Sequence, residues 1–80
     1  MRYVIFGRES CPYCVKAVQL LEERKENHKF VNFQESQSDI LQEVKEAYGW
    51  PTVPIVIQIK DRLEVTIIGG YTDLVKHFED

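Results

Sequence analysis

Alternation between apolar and polar positions divides the chain into short segments that predict strands and helices. Residues 3–6 form an apolar run that ends at a glycine, which is typical of a short strand buried in a parallel sheet. Residues 30–33 are rich in aromatic and β-branched side chains and predict a second strand. Residues 54–59 and 64–68 predict a hairpin, because these two β-rich runs are joined by the polar stretch 60–62.

Apolar residues at helical spacing predict three helices between and after these strands. The first is capped by the Ser10 hydroxyl, has a proline in its first turn and runs to about Glu26. The second begins with the Ser-x-x-Asp pattern at residues 36–39 and stops at Gly49. Thr72 is expected to cap the third. The order β-α-β-α-β-β-α predicts an α/β fold: a four-stranded mixed sheet with helices on both faces, the first two strands parallel and the hairpin antiparallel.

The same spacing predicts the interior. An 80-residue chain is too short for two hydrophobic cores, so residues 1–80 are expected to form one domain. The side chains expected in its core are Val4, Phe6, Val18, Leu21, Phe33, Val44, Ile55, Ile57, Ile67, Val75 and Phe78.

Charge and hydropathy limit the partners. The net charge is −3 and the basic residues are scattered, which argues against nucleic-acid binding. No apolar run approaches the roughly 18 residues of a membrane span. Residues 1–6 are too short for a signal peptide, so we expect a cytoplasmic protein with no membrane association. A monomer is expected because the helices leave no spare apolar stripe.

Cys11 and Cys14 are the only cysteines in the chain. Such a pair in the cytosol is catalytic or metal-binding. Zinc needs about four N or S ligands, and His28 and His77 lack a suitable spacing to the pair, so no metal is expected. Cys11 lies at a helix N-terminus, where unpaired N–H groups and the positive dipole end favour a thiolate, and it is the candidate nucleophile. Cys14 lies one turn later on the core-facing stripe and is the candidate resolving thiol.

Three sequence motifs together resemble the glutaredoxin family. The resemblance covers essentially the whole chain, with the motifs in the family's order and at compatible distances. It implies a thioredoxin fold, a cis bond before Pro54 that faces the Cys11 sulfur, and glutathione as reductant and co-substrate. The motifs are Cys11-Pro12-Tyr13-Cys14, Thr52-Val53-Pro54 and Gly69-Gly70-Tyr71-Thr72-Asp73.

The resemblance also implies where glutathione binds. The backbone of Val53 pairs with the cysteinyl unit, Thr72 and Asp73 hold the γ-glutamyl end, and Arg8 pairs with the glycyl carboxylate. Trp50 departs from the small or polar residue expected before the second motif, and it is equally well interpreted as packing or as a partner contact. The implied contacts are Arg8, Tyr13, Thr52, Val53, Pro54, Gly70, Tyr71, Thr72 and Asp73.

The implied function is reduction of protein disulfides and glutathione mixed disulfides, with ribonucleotide reductase as a candidate protein substrate. Two alternatives stay open. A glutaredoxin-like redoxin reduced by thioredoxin reductase has the same fold and Cys-x-x-Cys motif, although the Gly-Gly-Tyr-Thr-Asp segment argues against it. An iron–sulfur cluster carrier holds its cluster through the first cysteine and glutathione, but such carriers typically lack a second active-site cysteine such as Cys14.

Overall fold

Strands and helices follow one another in the predicted β-α-β-α-β-β-α order in a computed structural model that describes residues 1–61 and 64–79. None of the helices in these residues is long and apolar enough to cross a membrane. The elements are β1 (Arg2–Gly7), α1 (Pro12–Glu23), β2 (His28–Asn32), a 3-10 turn (Glu35–Gln37), α2 (Ser38–Tyr48), β3 (Ile55–Ile59), β4 (Val65–Gly69) and α3 (Tyr71–Glu79).

The described strands form one mixed sheet in the order β2-β1-β3-β4. Strands β1 and β2 are parallel, as expected for a strand–helix–strand crossover, whereas β3 is antiparallel to β1 and to β4. The central position of β1 brings its carboxyl end, Gly7, beside the start of β3, because Phe6 pairs with Ile55. The loop that carries the cysteines leaves the sheet at this point.

Helices cover both faces of the sheet, as predicted. Alternate side chains of β1 point to opposite faces. Tyr3 and Ile5 belong to a buried cluster that includes Leu21 of α1 and Leu74 of α3. On the other face the ring of Phe6 lies 5.6 Å from that of Tyr48 in α2.

The predicted interior is correct in part. Leu21, Phe33, Ile55 and Ile57 are buried, but Ile67 is 43% exposed. Ile67 pairs with Ile57 on the α2 side of the sheet, and β4 is an edge strand whose main contacts among the described residues are with β3 and α3. The list of expected core residues also omitted buried side chains that face α1 and α3 or lie on the helices, whereas Cys14 is buried as predicted; the omitted residues are Tyr3, Ile5, Ala17, Leu41, Val56 and Leu74.

Helix α1 differs from its prediction at both ends. Cys11, not Ser10, is its N-cap, and the sulfur of Cys11 accepts a hydrogen bond from the backbone of Cys14. The helix ends at Glu23 rather than near Glu26, because Lys25 adopts a left-handed φ of 57°. Strand β2 consequently begins at His28, two residues before the predicted start.

The remaining boundaries also shift. Helix α2 starts at Ser38 after the 3-10 turn, without a side-chain cap, and ends at Gly49 as predicted (φ 64°). Helix α3 starts at Tyr71, so Thr72 lies inside the helix and is not its cap. The predicted polar turn at residues 60–62 lies partly outside the described residues; Lys60 N–H donates to the Glu64 carbonyl across it, at 3.1 Å.

Candidate active site

The sulfur of Cys11 lies at the N-terminus of α1. The loop is closed by a hydrogen bond from Cys11 N–H to the Arg8 carbonyl (3.1 Å), and Pro12 occupies the first helical position, where no N–H is needed. Cys14 N–H donates to Cys11 Sγ at 3.2 Å. The sulfur therefore lies at the positive end of the α1 dipole with a backbone N–H directed at it. Cys11 is partly exposed, so its sulfur can be attacked or can attack.

Cys14 lies behind Cys11 with no exposed surface. Burial, and then the hydrogen bond with Cys11, raise the pKa of Cys14 to about 12. A thiol that keeps its proton does not compete with Cys11 for substrate. Gly7 makes this position possible, because a Cβ at Gly7 would overlap Cys14 Sγ.

The Val53–Pro54 peptide bond is cis, as the resemblance implied. Pro54 is buried and immediately precedes Ile55, the first residue of β3. Because Ile55 pairs with Phe6 in an antiparallel arrangement, Pro54 lies next to Gly7. Within residues 1–61 and 64–79, no other residue forms a backbone hydrogen bond with Val53. The main chain of Val53 is therefore available for pairing with a ligand.

The start of α3 forms the opposite wall. The Asp73 carboxylate accepts a hydrogen bond from Gly70 N–H at 3.0 Å, which is the backward half of a capping box. Gly69 has a φ of 119°, and a Cβ there would lie 2.8 Å from Asp73 Oδ2. The first turn of α3 consequently presents backbone N–H groups and one carboxylate to the space above Pro54.

These parts enclose an open groove of about 230 Å³. It brings together all of the sequence-predicted glutathione contacts except Arg8, whose guanidinium donates to Ser38 Oγ of α2 at 2.9 Å. The lining residues are Tyr13, Trp50, Thr52, Val53, Pro54, Gly70, Tyr71, Thr72 and Asp73.

Two tyrosines border the groove from opposite helices. The rings of Tyr13 and Tyr71 lie 5.9 Å apart, and Tyr13 is 55% exposed. Lys16 Nζ lies 5.1 Å from the Tyr13 ring centre, close enough for a cation–π contact. These rings give the groove two amphipathic walls, and Lys16 places one positive charge against the Tyr13 ring.

Trp50 is the lining residue that sequence reasoning left unassigned. Its backbone N–H donates to the Lys45 carbonyl at the end of α2, and its ring packs so closely on Gly69 that a Cβ there would lie 2.9 Å from Cη2. The indole N–H is buried and has no hydrogen-bond partner among residues 1–61 and 64–79. The position of Trp50 just before the Thr-Val-Pro motif was the only sequence signal for this role.

Metal ligands do not cluster in the described part of the chain: residues 1–61 and 64–79 contain no group of three or more His, Cys, Asp or Glu side chains that could hold a metal ion.

Comparison with known proteins adds to this geometry. A sequence profile of the glutaredoxin family matches residues 3–63. Glutaredoxin 1 of Escherichia coli K12 is 38% identical over 81 aligned residues, covering 91% of this chain and 87% of that protein, and glutaredoxin 1 of Shigella flexneri gives the same values.

Solved structures agree. The crystal structure of a wheat glutaredoxin has a TM-score of 0.77 at 25% identity, covering 96% of this chain and 68% of the wheat chain. Glutaredoxin 1 from Francisella tularensis, complexed with cacodylate, has a TM-score of 0.66 at 25% identity, covering 98% and 92%. These matches confirm the thioredoxin fold. The chain belongs to the glutaredoxin family, whose members are thiol–disulfide oxidoreductases.

Proposed function

We propose that this glutaredoxin uses glutathione as its reductant and reduces protein disulfides and glutathione mixed disulfides through Cys11 and Cys14. The observation that carries the proposal is the groove of about 230 Å³ between α1, the cis Val53–Pro54 bond and the start of α3. Its walls supply one main-chain edge, one helix N-terminus and one carboxylate. Glutathione has a matching set: a strand-like cysteinyl unit, an α-carboxylate and an ammonium group.

In this proposal each part of glutathione is bound by a protein group of complementary chemistry. The main chain of Val53 pairs with the cysteinyl unit as an added strand. Backbone N–H groups at the start of α3 receive the γ-glutamyl carboxylate, and Asp73 receives its ammonium. Arg8 would have to leave Ser38 to reach the glycyl carboxylate, so we assign that contact the smallest share of affinity.

The reaction is a sequence of thiol–disulfide exchanges. The Cys11 thiolate attacks one sulfur of the substrate disulfide, forms a mixed disulfide and releases the other sulfur as a thiolate. Cys14 loses its proton, attacks the Cys11 sulfur and releases the reduced substrate. One glutathione then opens the Cys11–Cys14 bond as a mixed disulfide on Cys11, and a second removes the first as oxidised glutathione. Two electrons pass from two glutathione molecules to one disulfide.

We further propose that the protein acts in the cytoplasm as a monomer and that ribonucleotide reductase is among its substrates. A reducing compartment suits a pair of free cysteines. Cys11 is partly exposed, as reduction of a large protein requires.

Turnover of a glutathione–cysteine mixed disulfide tests the choice of reductant. The assay is run with glutathione and glutathione reductase, and in parallel with thioredoxin reductase. We expect fast turnover with glutathione alone. The Cys11→Ser variant should be inactive, whereas Cys14→Ser should retain activity on this substrate because Cys11 alone suffices. Turnover with thioredoxin reductase only would leave the dithiol chemistry standing and remove the glutathione site.

The role of Asp73 gives the proposal a second test. Asp73→Asn keeps an oxygen that can accept the Gly70 N–H but removes the charge that would face the ligand ammonium. We expect the KM for glutathione to rise about tenfold, with kcat little changed, because a charge-assisted hydrogen bond becomes a neutral one. Asp39→Asn, in the first turn of α2, is the matched control and should have no effect. Equal KM values for both variants would remove Asp73 from the site.

A further inference from the structure

A second depression, of about 330 Å³, lies on the other side of α1 from the glutathione groove. We call it the α1–β2 groove. One helix stripe, the loop before α1 and a phenylalanine of β2 form it. Its lining residues are Glu9, Val15, Val18, Gln19, Glu22 and Phe30.

The α1–β2 groove begins one helical turn from the nucleophile. Val15 lies one helical turn after Cys11, and its N–H donates to the Cys11 carbonyl at 3.1 Å. Residues spaced by three or four along a helix share a face, so Cys11, Val15 and Glu22 follow one stripe, whereas Cys14 turns toward the core. Tyr13 points to the glutathione groove instead. Tyr13 and Val15, both within four residues of Cys11, therefore line two different grooves.

The floor of the α1–β2 groove is apolar and accessible. Val15 is 42% exposed, and Val18 and Phe30 are half-buried against the core cluster. Strand β2 is an edge of the sheet, since β1 is its only neighbour among the described strands. An edge strand offers unpaired main-chain groups to an extended peptide, and adjacent pockets then read its side chains.

The rim of the α1–β2 groove is acidic at both ends. Glu9 is held beside β2, because its backbone N–H donates to Asn32 Oδ1 at 3.0 Å. Glu22 stands at the far end with 63% of its side chain exposed, 4.0 Å from His28 Nε2. Two accessible carboxylates around an apolar floor favour an apolar side chain flanked by cationic ones.

We propose that the α1–β2 groove docks the protein substrate: it holds an extended segment next to the target disulfide, with an aliphatic side chain over Val15 and Val18 and flanking lysine or arginine near Glu9 and Glu22. The substrate enters from one side of Cys11 while glutathione enters from the other. The proposal requires only the thiol–disulfide exchange of the family and is independent of which reductant restores the dithiol.

The step to be measured is one turnover of the reduced protein, without glutathione. The dithiol gives two electrons to a peptide disulfide, so that the Cys11–Cys14 bond forms and the two peptide thiols are released. The probe is a synthetic peptide that carries a Cys-x-x-Cys disulfide followed by leucine between two lysines. Companion peptides replace leucine by serine, or both lysines by glutamate. We expect the leucine–lysine peptide to react about tenfold faster than the serine peptide.

Matched variants locate the effect. Val15→Thr keeps the shape of the side chain and adds a hydroxyl, so it should remove most of the preference for leucine. Ile67→Thr makes the same kind of change at an equally exposed position on β4 and should leave the preference intact. Glu22→Gln should slow the lysine peptide about threefold at low salt and much less at high salt. Glu23→Gln changes an exposed neighbour outside the groove and should not slow the lysine peptide.

Three outcomes would overturn the proposal. Equal rates for the leucine and serine peptides would show that the groove does not read the substrate. A loss in Val15→Thr that extends to a small disulfide such as hydroxyethyl disulfide would place the effect on Cys11 chemistry instead. Dimers of the wild type that dissociate in Val15→Thr during sedimentation would make the groove a contact between two copies of this chain.

Discussion

Gly7 and Cys14 are fitted to each other at the end of β1. A single Cβ at Gly7 would overlap the Cys14 sulfur. The backbone of Gly7 does not adopt a positive φ, so the requirement for glycine at this position is steric. The resolving thiol can stay fully buried only because the strand beside it carries no side chain.

Gly7→Ala is expected to displace Cys14 and to impair both stability and exchange. Overpacking a tight interior destabilises by about 1–3 kcal/mol, measurable by urea denaturation of the reduced protein. Single-turnover reduction of a peptide disulfide should slow as well. The control is Gly49→Ala, which has open space around it and a φ of 64°; it should lower stability by about 1–2 kcal/mol and leave the rate alone. A Gly7→Ala protein with wild-type stability and rate contradicts this account.

The buried Cys14 thiol makes stability depend on pH. Its folded pKa is about 12, above the value of about 8.5 for a free thiol. Between these values the folded chain keeps a proton that the unfolded chain has released. The stabilisation is therefore complete below about pH 8.5 and is lost as the pH rises.

The unfolding free energy of the reduced protein should fall by about 1.4 kcal/mol per pH unit above about pH 8.5 because of this one proton. Denaturation is measured between about pH 8 and 9, below the free tyrosine pKa of about 10. Reduced Cys14→Ala and the oxidised wild type have no Cys14 thiol and should lack this slope. An equal slope in all three proteins would assign the dependence to other groups.

Helix ends show what the sequence could and could not predict. Gly49 ends α2 as expected, because the left-handed position is occupied by the residue that favours it. Helix α1 ends in the same kind of motif with Lys25 in that position: Lys25 N–H bonds the Glu22 carbonyl and Glu26 N–H bonds the Leu21 carbonyl. Lysine carries no sequence signal for a left-handed turn, so the helix was predicted to continue.

Lys25→Gly is expected to stabilise the protein. The left-handed conformation costs a non-glycine residue about 1–2 kcal/mol, and the greater freedom of glycine in the unfolded chain offsets part of this gain. A net increase of about 0.5–1 kcal/mol should appear as a higher Tm. Exposed Lys29→Gly within β2 is the opposite control and should lower the Tm. A lower Tm for Lys25→Gly would mean that the lysine makes stabilising contacts that outweigh its backbone conformation.

The candidate site also contains residues that the sequence could place and residues that it could not. Motif spacing placed the cysteines and the first turn of α3, because each motif adjoins a regular element, whereas the cis bond before Pro54 came from the family resemblance. Arg8 and Trp50 could not be placed, since their positions depend on how α2 packs: one donates to Ser38 and the other is anchored to Lys45. Contacts between distant elements leave no local pattern.

At the scale of the whole molecule, a hydrogen-bonded network of polar side chains lies at the end of the sheet that is away from the cysteines. Tyr3 and Gln58 are both buried, and Gln58 Nε2 donates to Tyr3 Oη at 3.0 Å. Tyr3 Oη also lies 3.2 Å from His77 Nε2 at the end of α3. Burial raises the pKa of Tyr3, so the phenol keeps the proton that it shares with this network. The network joins β1, β3 and α3 at a position that the redox chemistry does not use.

A double-mutant cycle tests whether this network acts as a unit. Tyr3→Phe removes the hydroxyl that accepts from the buried Gln58 amide and leaves that amide with its contacts to Met1 Sδ (3.1 Å) and His77 Nε2 (3.4 Å), which should destabilise by about 1 kcal/mol. Gln58→Met should have a similar effect, because the Tyr3 hydroxyl loses its donor. The double variant should be less destabilised than the sum of the two, by about 1 kcal/mol, since neither Tyr3 nor Gln58 then leaves the other without its partner.

All three proteins should exchange disulfides at the wild-type rate, because Tyr3 and Gly7 lie at opposite ends of β1. Additive losses would show that each side chain contributes independently, and a slower exchange would show that this end of the sheet also positions the dithiol.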